Sequence, residues 1–226
     1  MLEISSVSKM YAPDVGLKNA TFSVLPGDVL AIIGPNGSGK STLLGVLSDR
    51  HHADSGFCHM DSQPLNTRKA EIGVLQEEPY LIETMDAVQY LKYIANLKCM
   101  TSFDTIDTLI NYFDVKGFSQ KKIAYLSQGQ RKRIALITSL MTNPYLLILD
   151  EPTNGFDTQT ILRLKKMILD RRAQSKITLL SSHVLDFVQS VATKGVFIRD
   201  GYVTEVFDVD KELERKYKEY FQIKNI

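Results

Sequence analysis

The densest chemistry in the chain is the run Gly34-Pro35-Asn36-Gly37-Ser38-Gly39-Lys40-Ser41-Thr42. Gly34, four residues and then Gly39-Lys40-Ser41 is a spacing suited to a polyphosphate. Glycines let the backbone turn its N–H groups inward without a Cβ clash, and a following helix N-terminus favours anions. Lys40 can then reach the terminal phosphates and Ser41 can ligate Mg²⁺. An incidental glycine-rich turn is a poor alternative. The nearly continuous apolar run Val29 to Ile33 precedes the loop as a buried strand, and Leu43, Leu44, Val46 and Leu47 follow it with helical spacing.

Three further groups fit a phosphate site, each with a plainer reading beside it. Asp150-Glu151 stands at the end of the apolar run Leu146 to Leu149. There Asp150 would support the Mg²⁺ shell and Glu151 would polarise an attacking water; a solvated acidic loop is the alternative. His183 follows the run Ile177 to Leu180 and could orient water at a terminal phosphate, although a lone histidine is more often structural. Ser127, in Leu126-Ser127-Gln128-Gly129-Gln130, is placed to cap an apolar helix through Ile134, Ala135, Ile137 and Leu140, and a capped helix start can itself bind phosphate. Arg131-Lys132-Arg133 reads as a solvated or phosphate-facing surface, not a nucleic-acid stripe. His51, His52 and His59 lack metal-ligand spacing and read as exposed loop histidines.

These residues need a frame. Short strands are expected around Leu2 to Val7, Ala20 to Val24 and Val29 to Ile33, then at Leu146 to Leu149, Ile177 to Leu180 and Val196 to Ile198, with a helix around Ile161 to Leu169. Between Glu77 and Gln130 the texture is helical, with Ala87, Tyr90, Leu91, Ile94 and Leu97, then Ile106, Leu109, Ile110 and Phe113, recurring at helical spacing. The fold class expected is α/β: a mainly parallel sheet, an antiparallel β part at the N-terminus and an inserted α-helical subdomain. The expected division is one domain over 1–226, with 1–76 and 131–210 as core, 77–130 as helical subdomain and 211–226 as a C-terminal helix. On that last helix Leu213, Tyr217, Tyr220 and Phe221 share one face, to be covered by the chain's own core or by a partner.

Lys and Arg total 27 against 26 Asp and Glu, so no bulk field recruits nucleic acid, which is not an expected partner. Cys58 and Cys99 lack paired spacing and read as reduced thiols of a cytosolic protein. No apolar run approaches the ~20 residues that cross a bilayer, so any membrane span is expected from another polypeptide.

Taken in order, the motifs resemble the nucleotide-binding subunit of ATP-binding cassette (ABC) transporters, a P-loop NTPase with a RecA-like core. The likeness runs from Tyr11 in Ser8-Lys9-Met10-Tyr11, similar to an adenine-stacking residue, through the phosphate loop and Gln76 in Leu75-Gln76-Glu77-Glu78-Pro79. It continues through the signature-like Leu126 to Gln130, Asp150-Glu151, the loop Asn154-Gly155-Phe156-Asp157 and His183. The resemblance implies ATP and Mg²⁺ as ligands. It gives catalytic roles to Glu151, His183 and Gln76, and metal contacts to Ser41, Gln76 and Asp150. Nucleotide contacts would come from Tyr11, Gly34 to Thr42, Ser127, Gly129, Gln130 and Asp157. Two copies would pack head to tail, Ser127 and Gly129 of one completing the ATP site of the other, beside a separate transmembrane permease at the inner face of the cell membrane. Export, as in bacterial exporters, is favoured over import; a soluble ATPase of a non-transport assembly complex is the alternative. Gln128 departs from the family, which usually has glycine there.

Overall fold

The computed structural model describes residues 1–223, so the end of the expected 211–226 helix, residues 224–226, lies outside the described residues. In chain order the first elements are β1 (Leu2–Ala12), β2 (Val15–Val24), β3 (Val29–Ile33), α1 (Lys40–Leu47), β4 (Ser55–Met60), β5 (Gln63–Pro64) and β6 (Ile72–Leu75). Next come α2 (Ala87–Leu97), α3 (Asp104–Tyr112), α4 (Gln128–Leu140), β7 (Leu146–Leu149) and α5 (Thr158–Ala173). The last are β8 (Ile177–Ser181), α6 (Leu185–Val191), β9 (Lys194–Arg199), β10 (Tyr202–Val203), β11 (Phe207–Asp208) and α7 (Leu213–Phe221). They form two compact units, one made of Met1–Lys69 with the chain from Ile168 onward, the other of Ala70–Met167.

In the first unit β1 pairs antiparallel with both β2 and β4, in a small sheet ordered β2-β1-β4-β5. Strict alternation along β1 would put Ser6 in the core. A register shift between Ile4 and Val7, with Ser6 at φ 51°, keeps Leu2, Ile4 and Val7 buried instead, and Thr21 Oγ1 accepts the displaced Ser6 N–H at 2.9 Å. The second layer of strands runs β10-β9-β3-β8. β3 lies parallel between β8 and β9, and all five of its residues are buried, which is why its sequence is unbroken Val-Leu-Ala-Ile-Ile. The C-terminal helix closes on this unit: Phe197 of β9 stacks on Tyr220 at 5.0 Å and meets the edges of Tyr217 and Phe221, so α7 covers its own core.

In the second unit β6 and β7 are parallel, Leu75 opposite Leu149. The inserted helices begin with a capping box in which the Asp86 carboxylate accepts the Gln89 N–H at 2.8 Å and Gln89 Oε1 accepts the Asp86 N–H at 3.1 Å. α2 buries Ala87, Tyr90, Leu91 and Ala95, while Leu97, expected on the same face, is 63% exposed as the last residue of the helix. α3 buries Ile106 and Ile110, and Phe113 behind it is fully buried. Among the described residues no helix is long and apolar enough to cross a membrane.

Both cysteines are free thiols. Burial pushes the Cys58 thiol up to about 11, whereas Cys99 is exposed. Because the thiolate is the nucleophile, iodoacetamide at pH 8 is expected to label Cys99 at least about tenfold faster than Cys58 in native protein, with the difference lost in urea; peptide mass spectrometry over time checks it.

Candidate functional site

The first unit holds the phosphate loop. It leaves the buried end of β3 and turns at Pro35, whose carbonyl accepts the Ser38 N–H at 3.3 Å, before α1 starts at Lys40. A Cβ at Gly34 would stand 2.4 Å from the Ile198 carbonyl oxygen, so no other residue lets the loop pass so close to β9. Lys40 is only 6% exposed, and its ammonium donates to the carbonyls of Gly34 at 2.9 Å and Pro35 at 3.1 Å. The first turn of α1 has no acidic residue, and its N-cap, Gly39, has no side chain to accept the turn's N–H groups. Ser38 Oγ is buried with no hydrogen-bond partner. An ammonium, an uncapped helix start and an orphaned hydroxyl along one tight loop fit a phosphate anion. Pro35, Asn36, Gly37 and Ser41 are exposed, with Gly39 and Thr42 half-buried between them.

Tyr11, half-exposed at the end of β1, lies in the same unit. It meets the edge of His51 at 5.8 Å. His51 and His59 correct the expectation of exposed loop histidines: both are half-buried, and only His52 is fully exposed. The His51 ring lies against α1, where a Cβ at Gly45 would fall 2.2 Å from its Cδ2, and the His51 backbone N–H donates to the Gly45 carbonyl at 3.1 Å. Burial first, then the charges of Arg50 and Lys9, lower its pKa. His183 is exposed just beyond the end of β8, where Ser182 Oγ accepts the Val184 N–H at 3.1 Å.

The second unit gathers the remaining residues in two places. At the ends of its parallel strands the Asp150 N–H donates to Leu75 O at 2.8 Å, which sets Asp150 and Glu151 beside the residue after Leu75, Gln76. Asp150 and Glu151 are each 4% exposed, and Glu151 has a left-handed backbone at φ 42°. Gln76 borders a hollow of about 160 Å³ with Pro79, Tyr80, Leu81 and Tyr90. Around the start of α4 an open concavity of about 530 Å³ brings together Ser127, Gly129, Gln130 and Asp157. Ser127 caps the helix: its Oγ accepts the Gln130 N–H at 3.3 Å while Gln130 Oε1 accepts the Ser127 N–H at 3.0 Å. Asp157 pairs with Arg133 at 2.5 Å and caps α5 through the Thr160 N–H at 2.8 Å.

The basic triplet after the signature is not one solvated surface. Arg131 pairs with Glu83 at 2.8 Å and Arg133 with Asp157, but Lys132 is 2% exposed and donates to the Glu151 carbonyl at 2.7 Å. Desolvation lowers its pKa, opposed by the carboxylates of Glu77, Glu151 and Asp150. The periodicity held the signal: Lys132, Leu136 and Ser139 fall on one buried face of α4.

Among the described residues no three His, Cys, Asp or Glu side chains form a cluster fit for a metal on their own. Asp150 and Glu151, adjacent after β7, are carboxylates of the kind through which Mg²⁺ is commonly bound together with substrate phosphates.

Comparison with known proteins agrees with the motif order. A protein-family model described as "ABC transporter" matches residues 17–154. The lantibiotic transport ATP-binding protein SrtF of Streptococcus pyogenes is 30% identical over 220 residues, covering 96% of each chain. The SkfA peptide export ATP-binding protein SkfE of Bacillus subtilis is 27% identical over 207 residues, covering 89% of this chain and 86% of that one. Among solved structures, the ATP-binding subunit of an ABC transporter superposes with TM-score 0.85 at 23% identity, covering 100% of this chain and 95% of that one. A dimeric ATP-binding cassette in a post-hydrolysis state bound to ADP and Pi superposes with TM-score 0.82 at 22% identity, covering 93% and 99%. These two share the fold.

A Cβ at Gly129 would lie 2.5 Å from the Gly155 carbonyl oxygen, so Gly129→Ala must push the loop 154–157 off the start of α4. The expected loss of stability is about 1–3 kcal/mol by urea denaturation, as for other overpacked sites. Gln128→Ala, at an exposed position, is expected to change stability by less than about 0.5 kcal/mol.

Proposed function

The chain belongs to the ABC transporter family, and on that premise we propose that it binds MgATP, hydrolyses it and powers transport through a separate membrane subunit. The observation that carries the reading is the phosphate loop: a buried Lys40 ammonium, the uncapped start of α1 and the unpartnered Ser38 hydroxyl all offer donors to one polyanion.

Roles follow the motif order. Gly34 to Thr42 grip the phosphates, with Lys40 on the outermost two, and Tyr11 stacks on the base. Ser41, Gln76 and Asp150 would hold Mg²⁺, which when bound would supply charge neutralisation on the phosphate oxygens. Glu151 accepts a proton from water as the water oxygen bonds to the γ-phosphorus, and the bond from that phosphorus to the bridging oxygen breaks to release ADP. His183 orients the same water from the terminal phosphate. Asp157 keeps the start of α5 in place beside the signature.

The working form is a dimer in which the helix start at Ser127 and Gly129 of one copy caps the nucleotide of the other, most simply a homodimer. A triphosphate held between two helix N-termini is neutralised from both sides, and loss of the γ-phosphate removes one side's contacts. Closing with ATP and opening after hydrolysis lets differential affinity do mechanical work. The protein then sits peripherally at the cytoplasmic face of the membrane. Export of a peptide is the direction favoured, by the loop Asn154 to Asp157 and by relatives named for lantibiotic transport and peptide export.

Glu151→Gln is expected to lower ATP turnover at least about a hundredfold while MgATP still binds, and to accumulate a dimer in saturating ATP. Analytical ultracentrifugation with and without nucleotide checks it, and a monomer under those conditions would refute the shared site. Mixing wild type with Ser127→Arg is expected to depress turnover at the wild-type site as the variant fraction rises. Tyr80, 89% exposed beside the Gln76 hollow, is the proposed contact for the membrane subunit. Tyr80→Asp is therefore expected to keep MgATP affinity and lose co-purification with the membrane subunit.

A further inference from the structure

Lys132 is the most buried charged side chain in the second unit, and nothing in the roles above uses it. A lone ammonium inside a protein is costly unless it is paired and hydrogen-bonded. Here the charge faces the carboxylates of Glu77, Glu151 and Asp150, and Nζ lies 5.8 Å from the centre of the Phe156 ring. Its hydrogen bond goes to the main chain, 2.7 Å to the Glu151 carbonyl.

That carbonyl belongs to a residue in an unfavourable conformation. Glu151 sits at φ 42°, a left-handed backbone that is unfavourable for a residue with a Cβ. Such a geometry persists where its surroundings over-determine it. On the strand side the Asp150 N–H is fixed to Leu75 O at 2.8 Å. On the loop side the Glu151 carbonyl accepts both Lys132 Nζ and, at 3.3 Å, the Asn154 N–H. Asn154 Nδ2 in turn donates to Glu77 Oε1 at 3.1 Å. A chain of hydrogen bonds thus runs from Lys132 through Glu151 and Asn154 to Glu77, the residue after Gln76.

We propose that Lys132 is a positioning residue for hydrolysis: its ammonium holds the Glu151 carbonyl and so fixes the turn that presents the general-base carboxylate. The inference rests on the ATPase reading and gives one side chain of the signature helix a part in the chemistry of its own chain. It separates two jobs on α4, since Ser127 and Gly129 at its exposed start serve the partner's nucleotide while Lys132, inside the unit, serves Glu151.

The test compares wild type, Lys132→Met, Glu151→Gln and the double variant in steady-state ATPase assays, with MgATP binding by isothermal titration calorimetry. Lys132→Met keeps the aliphatic stem and removes the donor. The expected result is a fall in kcat of at least about tenfold with Kd for MgATP within about twofold of wild type. In the Glu151→Gln background Lys132→Met should reduce the residual turnover no further, since it acts through a group already removed. Hydrogen exchange of nucleotide-free protein should show faster exchange in residues 151–154 of Lys132→Met. Lys132→Gln, neutral but still able to donate, serves if the methionine variant does not fold; the same direction with a smaller loss, about threefold, is expected. A folded variant with wild-type kcat, or one that loses MgATP affinity in proportion to turnover, or an additive loss in the double variant, would overturn the positioning role while leaving the ATPase reading intact. Absence of Mg²⁺-dependent turnover in wild type would bring down both.

Discussion

Among the described residues two lysine ammonium groups, Lys40 and Lys132, are buried, and both donate to the main chain. Lys40, 6% exposed, donates to Gly34 and Pro35; Lys132, 2% exposed, donates to Glu151. Burying a charge is tolerable only with partners in place. In each unit the partner is a carbonyl of the loop that leaves a fully buried parallel strand, β3 in one and β7 in the other. A carbonyl bonded to a fixed cation cannot rotate freely, so the residues next to it hold a single arrangement. Each lysine in effect nails a loop to the unit from which it emerges.

This arrangement explains why the strands feeding the loops carry no polar residue. Every side chain of β3 and β7 is buried, so register cannot slip without placing a charged loop residue in the core. The strands therefore set where Gly34 and Asp150 emerge to within a residue. The loops can then depart from ordinary backbone geometry, as Glu151 does at φ 42°, because strain at one position is opposed by hydrogen bonds on both sides of it.

Legibility in the sequence tracks how local the determining physics is. The phosphate loop is written in nine consecutive residues and Ser127 stands directly before an apolar helix, so both can be read directly, whereas the Asp86-x-x-Gln89 cap emerges only in the structure. The buried strands announce themselves by composition. β4 and β5 were not legible, because His, Gly, Cys and Gln there become strand only through the neighbours they pair with, and β6, Ile72 to Leu75, is only four residues long. α6 escaped for its shortness, seven residues with no side-chain cap. Lys132 and His51 escaped for a different reason. Residue type argued for solvent, while position argued for the core: Lys132 occupies the Leu136 and Ser139 face of α4, and His51 fills the space above Gly45 of α1. Periodicity outweighs residue type when the two conflict, since a helix face is buried as a whole and a long cation on it can only be accommodated by finding partners inside.

The same reasoning bears on the signature, where Gln128 replaces the usual glycine of the family. The neighbouring positions 128 and 129 are physically unlike in this chain. Gly129 faces the Gly155 carbonyl, with no room for a Cβ, so glycine there is required by the fold of this chain alone. Gln128 is the first residue of α4 and exposed, with its side chain lying alongside Gly155 of the same unit. Folding therefore places no glycine requirement on position 128, and any selection acting on it has to come from what approaches the helix start from outside. In the dimer proposed for this protein that object is a nucleotide held by the other copy. The glutamine amide would then add a neutral donor beside the anion-binding N–H groups of α4, in place of the closer backbone approach that a glycine permits.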